Sequence, residues 1–178
     1  KISQVIQTVL NLGDIVSLMI ELLFDYLFIL AYLALLFLGS MLFYIIYFNG
    51  IPEFTEIQSQ CLVFFTSVLP VTLFFTFLDY TKNGSFGKAK AGLRLVYKKK
   101  TVQASLLRNT IKFLPWQIGH MGTIHGFYSE FDSLSIILSF LATLLAVALL
   151  AMMVFRKDKR HLGDLIAHTQ VQLKCDLN

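Results

Sequence analysis

Three long apolar runs restrict what this chain can fold into more than any other feature of its sequence. They cover residues 15–48, residues 59–79 and residues 134–155, and the last run contains no charged residue. A helix needs about 20 apolar residues to cross a hydrocarbon core roughly 30 Å thick. Because 56% of the 178 residues are apolar and only 15% are charged, a soluble domain of this size could not bury these runs. The sequence therefore predicts an integral membrane protein.

A fourth span, residues 106–128, is predicted from the positions of the basic residues. This segment is less apolar and contains a proline, two histidines and three glycines. Lysines and arginines collect in cytoplasmic loops of membrane proteins, and two basic clusters lie at residues 82–112 and 156–160. Two clusters on the same side must be separated by an even number of crossings. We therefore expect residues 106–128 to cross the membrane next to residues 134–155.

These spans predict an all-α bundle of four transmembrane helices with both termini in the cytoplasm. A single domain is expected over residues 1–178, with a basic cytoplasmic loop at residues 80–105 and a cytoplasmic tail at residues 156–178. Residues 91–97 of the loop and residues 169–173 of the tail alternate between apolar and polar side chains, which is typical of strands. A short pair of strands resembling a β-hairpin is therefore expected, and it would place Arg94 near Asp164.

Acidic side chains lie along one face of the first predicted helix. Asp14, Glu21 and Asp25 are separated by seven and four residues, so they share that face. Ionisable residues in a membrane usually face the interior of a bundle or a water-filled cavity, which makes these three candidates for an ion or proton site. The alternative is that they fix helix packing by pairing with basic residues, namely Arg94, Arg108 or Lys112.

The other ionisable residues near the spans are expected to have structural roles. Asp79 closes the second span beside the basic loop, where a carboxylate usually pairs with a cation or faces solvent. His120 and His125 are about 140° apart around a helix, so they do not converge on one ligand and are secondary site candidates. Gly119, Gly122 and Gly126 form a small-residue face of the kind that lets another helix approach closely.

The tail contains a weak metal-binding pattern. His161, Asp164 and His168 occur at positions i, i+3 and i+7, but Gly163 between them disfavours a helix. Two histidines and one aspartate match the composition of a metal site without matching a motif. We therefore expect His161 and Asp164 to serve as structural or pairing residues, and no metal is expected.

Three common enzyme motifs are absent from the sequence. It contains no His-Glu-x-x-His pair, no Walker loop and no Gly-x-Ser-x-Gly elbow. The protein is therefore expected not to be an enzyme and to need no cofactor, and nucleic acid is not expected as a partner. The basic loop is expected to contact the lipid bilayer through anionic lipids of its inner leaflet, where each Lys or Arg contributes about 1 kcal/mol.

Several short motifs occur in a fixed order around the predicted spans: Asp25, residues 84–88, 92–96, 107–109, 159–164 and 169–171. Together they resemble the RDD family, small bacterial membrane proteins named for one arginine and two aspartates. By position, Asp25 and Asp164 resemble the two aspartates of the family. The signature arginine of the first helix has no counterpart, because residues 2–81 contain no Lys or Arg. Arg108 is expected to neutralise Asp25 instead.

The resemblance implies a multi-pass transporter of the bacterial cytoplasmic (inner) membrane, since some members are described as sodium–proton antiporters. Monovalent cations and protons would then compete for carboxylate oxygens of Asp25 and Glu21, and Asp25→Asn would abolish transport. Four helices are few for enclosing a transport pathway, so a homo-oligomer or a protein partner is expected. The alternative is a non-transporting accessory protein that docks a partner through its basic loop and tail.

Overall fold

The computed structural model describes the backbone of residues 2–174 and the side chains of residue 13 and residues 15–174. Within that part the elements follow in this order: α1 Ile2–Phe48, α2 Glu56–Val63, α3 Leu69–Lys82, α4 Phe86–Lys90, β1 Leu93–Tyr97, α5 Val102–Tyr128, α6 Ser133–Phe155, α7 Leu162–Ile166 and β2 Thr169–Leu173. A π-helical turn, Phe64–Val68, joins α2 to α3. The last four residues of the predicted tail lie outside the described residues.

Three helical segments are long and apolar enough to cross a membrane. They are Ile15–Phe48, Glu56–Lys82 and Ser133–Phe155. The long apolar helices predicted at the first, second and last spans are thereby confirmed as candidate membrane spans. The second segment is longer than the sequence predicts, because α2, the π-helical turn and α3 form one continuous helical rod.

The π-helical turn has a local cause in Pro70. Proline has no backbone N–H, so the carbonyl oxygen of Thr66 loses the donor that an α-helix would supply. The chain widens into the π-helical turn just before this point. The Tyr32 hydroxyl of α1 donates to the Thr66 carbonyl oxygen over 2.5 Å and so provides the missing hydrogen bond. This bond ties α1 to the middle of the second helical rod.

Helix α5 packs closely against α6 through its glycines. A Cβ added to Gly122 would lie 2.9 Å from the hydroxyl oxygen of Ser139, and one added to Gly119 would lie 3.7 Å from Ala142. A larger residue than glycine at position 122 would therefore push the two helices apart. The predicted role in close helix packing is therefore confirmed for Gly122, while Gly126 lies against Phe131 in the turn between α5 and α6.

Helix α5 also contacts the second helical rod at both ends. At one end His125 Nδ1 lies 2.8 Å from Glu56 Oε1. At the other end Arg108 Nη1 lies 2.7 Å from Asp79 Oδ2. The helix rises about 26 Å between Arg108 and His125. It therefore runs alongside most of the length of a candidate membrane span.

The two strands pair as the sequence predicts. Strands β1 and β2 are antiparallel, with Leu93 opposite Leu173 and Tyr97 opposite Thr169. The expected proximity of Arg94 to Asp164 was wrong. Leu93 and Leu95 are buried, so the alternation along the strand places Arg94 on the opposite face, across from Gln172. Arg108 occupies the position beside the Asp164 carboxylate instead.

Candidate functional site

Helix α4 is folded back against α1 by the turn that ends α3. Asn83 has a φ of 55° and Gly84 a φ of 153°, so the chain reverses in the left-handed region directly after α3. Ser85 then caps α4 by accepting a hydrogen bond from the backbone N–H of Lys88. Gly87 lies so close to α1 that a side chain there would meet the carbonyl oxygen of Glu21. The turn and the glycine together bring α4 into the interior of the bundle.

Asp25 of α1 holds this turn in place. Its carboxylate accepts hydrogen bonds from the Ser85 hydroxyl at 2.9 Å and from the Gly87 backbone N–H at 3.1 Å. Lys112 of α5 lies 3.3 Å away and supplies the positive charge. The expected pairing of Asp25 with Arg108 was therefore wrong, because Arg108 is engaged elsewhere. Lys112 was one of the three partners expected for the acidic face of α1.

Lys88 of α4 is fully buried between two carboxylates. Its Nζ lies 2.8 Å from Glu21 Oε1 and 3.7 Å from Asp79 Oδ1. Burial alone would lower the pKa of this ammonium, but the Asp79 and Glu21 carboxylates outweigh burial and hold the pKa above its ordinary value. Lys88 is therefore a permanent cation inside the bundle.

Arg108 of α5 joins α3 to the tail. Its guanidinium donates from Nη1 to Asp79 Oδ2 over 2.7 Å and from Nε to Asp164 Oδ1 over 2.6 Å. Asn109 adds a hydrogen bond of 2.9 Å to the same oxygen of Asp79. The expected pairing roles of Arg108, Asp79 and Asp164 are therefore present in the structure, with all three side chains buried.

The Asp164 carboxylate has two further neighbours in the tail. Thr169 donates its hydroxyl to Asp164 Oδ1 over 2.7 Å, and His161 Nε2 lies 3.2 Å from Asp164 Oδ2. Because His161 Nδ1 accepts the backbone N–H of Gly163, the ring proton belongs on Nε2, facing the carboxylate. Burial would raise the pKa of Asp164, but the Arg108 guanidinium keeps it below its usual range.

His161 makes stability depend on pH. Burial lowers the pKa of His161 to about 3 against the attraction of Asp164, while the unfolded value is near 6.5. The unfolded state therefore binds a proton first as the pH falls, and the unfolding free energy decreases below about pH 6.5, by at most about 1.4 kcal/mol per pH unit. His161→Asn keeps a capping oxygen and removes the titration. We expect the variant to lose less thermal stability than wild type between pH 7 and pH 5; equal losses would contradict this role.

Gly87→Ala is expected to destabilise the protein by about 1–3 kcal/mol, because the added methyl group cannot fit. It would meet the Glu21 carbonyl oxygen and lie 2.6 Å from Asp25 Oδ1. Thermal unfolding followed by the fluorescence of Trp116, the single tryptophan, measures the change. Gly39→Ala is the matched control, since a Cβ there meets nothing within 4 Å. Equal melting temperatures for the two variants would contradict the close approach of α4 to α1.

Seven ionisable side chains form one buried charge cluster, in which acidic members outnumber basic ones. Its members are the carboxyl groups of Glu21, Asp25, Asp79 and Asp164 and the basic groups of Lys88, Arg108 and Lys112. With His161 neutral and no proton or cation bound, four negative charges face three positive ones. Among the described residues, Glu21 Oε2 and Asp79 Oδ1 are buried and have no hydrogen-bond donor. The buried charge cluster can therefore take up one more positive charge.

The remaining predicted site residues are not among the members of the buried charge cluster. The side chain of Asp14 lies outside the described part of the structure. His120 packs against the Trp116 ring, with 5.4 Å between centroids, and His125 lies at the opposite end of α5 between Glu56 and Asp132. His168 is exposed. None of these three histidines joins the buried charge cluster.

Lys88, Ser85 and Asn109 were not predicted as site residues. A lysine in a short basic loop is normally solvated, so nothing in the local sequence indicates its burial. The available signal was the Gly84–Lys88 segment directly after a span, in which small residues permit close packing. Asn109 follows Arg108 on the first turns of α5, and its role depends on the position of α3.

A model of the RDD family matches residues 19–168 of the chain. This range includes every member of the buried charge cluster, from Glu21 to Asp164. No curated protein and no solved structure matches the chain.

Proposed function

Because the chain belongs to the RDD family, we propose that it is a transporter that exchanges a monovalent cation for a proton. The observation that carries the proposal is the surplus carboxylate of the buried charge cluster. An unpaired charge away from water is costly, and the cost disappears when a proton or a cation binds. A proton and a cation bound at the same oxygens exclude each other, which is the chemical requirement of exchange.

Glu21 and Asp25 have different roles in this proposal. Asp25 already accepts from Ser85, Gly87 and Lys112, so its two oxygens are engaged in holding α4. Glu21 contacts Lys88 through Oε1, while its buried Oε2 faces no donor among the described side chains. Glu21 is therefore the carboxylate that exchanges proton and cation, and Asp25 is a positioning residue.

We infer that α5 is a fourth crossing and that both termini are cytoplasmic. The contacts of α5 with the second helical rod at His125 and at Arg108 support a parallel course through the bilayer. Glu53, Glu56, Glu130 and Asp132 lie in or directly beside the two loops at one end of the bundle, and these loops contain no Lys or Arg. The basic end then faces the cytoplasm. Asp25, about 35 Å along α1 from Phe48, lies at the cytoplasmic boundary of the hydrocarbon core.

The exposed lysines at this end suit a surface of anionic lipid. They include Lys82, Lys90 and residues 98–100, all outside the buried charge cluster. A membrane with anionic lipid on its inner face, such as the bacterial cytoplasmic membrane, would attract them. The apolar side chains exposed along α1 would contact lipid or a second copy of the chain in a homo-oligomer. The same lysines favour the second candidate function, a non-transporting protein that docks a partner at this surface.

The test is ion exchange in sealed proteoliposomes that contain a pH-sensitive dye. Addition of Na⁺, Li⁺ or K⁺ outside is expected to drive protons out and make the interior alkaline. Liposomes without protein, and addition of choline, are the controls. Well-reconstituted protein that moves no protons with any of these cations would exclude exchange of these ions and favour the docking function.

A further inference from the structure

The Lys88 ammonium lies between two carboxylates of the buried charge cluster, one of which is Glu21, the residue proposed to exchange proton and cation. Its Nζ lies 2.8 Å from Glu21 Oε1 and 3.7 Å from Asp79 Oδ1. The remaining oxygen of Glu21 is also buried, and no hydrogen-bond donor in the described part of the chain reaches it. Glu21 and Asp79, the two carboxylates that face Lys88, therefore each have a buried oxygen that no hydrogen-bond donor among the described residues reaches.

We propose that Lys88 is a tethered cation, which must leave the position between Glu21 and Asp79 before a monovalent cation can bind there. This inference rests on the proposed exchange and adds a competitor that belongs to the protein itself. An ammonium carries the same unit charge as Na⁺ and is attracted by the same carboxylate oxygens. Removing it from the pocket leaves a second unpaired negative charge, which an incoming cation would neutralise.

The segment that carries Lys88 is attached in a way that permits such a displacement. It is bounded by residues in the left-handed region, Asn83 and Gly84 on one side and Gly92 on the other. Its polar contacts with α1 include the Lys88–Glu21 ion pair and the two hydrogen bonds that Asp25 accepts from Ser85 and Gly87. Few bonds therefore need to break for Lys88 to move out together with α4.

The aromatic contacts of α4 are made by Phe86, the first residue of this helix. The Phe86 ring lies 6.0 Å from the Phe28 ring and 6.3 Å from the Phe74 ring, measured between centroids, and about half of its surface is exposed. Displacement of α4 would therefore separate the half-exposed Phe86 ring from these two rings, while Gly87 and Lys88 would leave buried positions.

The first test compares Na⁺ binding by the purified full chain and by Lys88→Met, measured by calorimetry. If the site is available only in molecules whose Lys88 has left the pocket, the apparent affinity for Na⁺ is the intrinsic affinity multiplied by the fraction of such molecules. Removal of Lys88 should therefore tighten Na⁺ binding by about tenfold or more. Lys90→Met, which removes an exposed lysine of the same helix, is the control and should bind as wild type does. Folded Lys88→Met with wild-type affinity would overturn the proposal.

A second test uses the wild-type protein and does not depend on the folding of a variant. Acetylation by an amine-reactive reagent, read by mass spectrometry, reports the exposure of each lysine. Saturating Na⁺ should increase acetylation of Lys88 several-fold relative to choline, while exposed Lys90 should react equally in both. Unchanged acetylation of Lys88 would overturn the tethered-cation role alone if the proteoliposomes still exchange ions. Absence of both exchange and Na⁺ binding would overturn the proposed function as well.

Discussion

Arg108→Met is expected to lower the free energy of unfolding by about 3–5 kcal/mol, a large share of the 5–15 kcal/mol that usually stabilises a domain. The guanidinium donates to Asp79 and to Asp164 at the same time, and it is almost fully buried. Its loss would leave four carboxylates facing two cations. Arg108→Lys is expected to be nearly as damaging, because one ammonium cannot reproduce the two-sided geometry. Thermal unfolding in detergent, followed by Trp116 fluorescence, measures both effects.

Neutral replacement of all three side chains, Arg108, Asp79 and Asp164, provides the control for this prediction. In Arg108→Met combined with Asp79→Asn and Asp164→Asn, two carboxylates remain, Glu21 and Asp25, and they face two cations, Lys88 and Lys112. The triple variant should therefore recover much of the stability that Arg108→Met loses. Arg94→Gln removes an arginine of β1 that is only partly buried and should change stability by less than about 0.5 kcal/mol. If the triple variant is no more stable than Arg108→Met, an excess of carboxylates is not the cause of the lost stability.

Glu21→Gln is expected to abolish cation-driven proton movement in proteoliposomes without loss of folding. The substitution removes the carboxylate with an unfilled oxygen and leaves three carboxylates facing three cations. The charges of the cluster are then balanced, so binding a proton or a cation no longer neutralises an excess negative charge. Because the amide oxygen of glutamine can still accept from Lys88, its thermal stability should equal or exceed that of wild type. Exchange at the wild-type rate by folded Glu21→Gln would contradict the assignment of this residue.

Asp25→Asn should behave differently, which makes it a useful comparison. It balances the charges in the same way, but it weakens the bonds that hold α4 through Ser85, Gly87 and Lys112. Loss of a hydrogen-bonded charge typically costs about 1.5–3 kcal/mol. Asp25→Asn should thus lose stability where Glu21→Gln does not. Equal stability of the two variants would contradict their separate roles.

The spans and the strand pair could be predicted because their signals are local. Uninterrupted apolar runs such as residues 134–155 permit few structures other than a helix that contacts lipid or core. Residues 91–97 and 169–173 alternate with a period of two, and neither strand can satisfy its backbone alone. The shared face of Glu21 and Asp25 follows from their spacing of four residues. In each case the sequence pattern and the structure involve the same few residues.

The partners of the charged residues could not be predicted in the same way. Arg108 was expected to neutralise Asp25, but Lys112, four residues later on the same helix, occupies that position. Which of the two side chains reaches Asp25 depends on how α1, α3 and α5 are shifted relative to one another along the bundle axis. No local sequence pattern specifies this shift. The burial of Lys88 depends on the reversal at Asn83 and Gly84 and on the space left by Gly87. These are contacts between distant segments.

The claim that the buried charge cluster binds either a proton or a monovalent cation is tested most directly by counting protons. Sodium chloride is added to the purified protein in a weakly buffered detergent solution near neutral pH, and the released protons are measured with a pH dye. Choline chloride at the same ionic strength is the control. About one proton should be released for each Na⁺ bound by the wild-type protein, and Glu21→Gln should release none. Sodium binding without proton release, or equal release from Glu21→Gln, would contradict the claim.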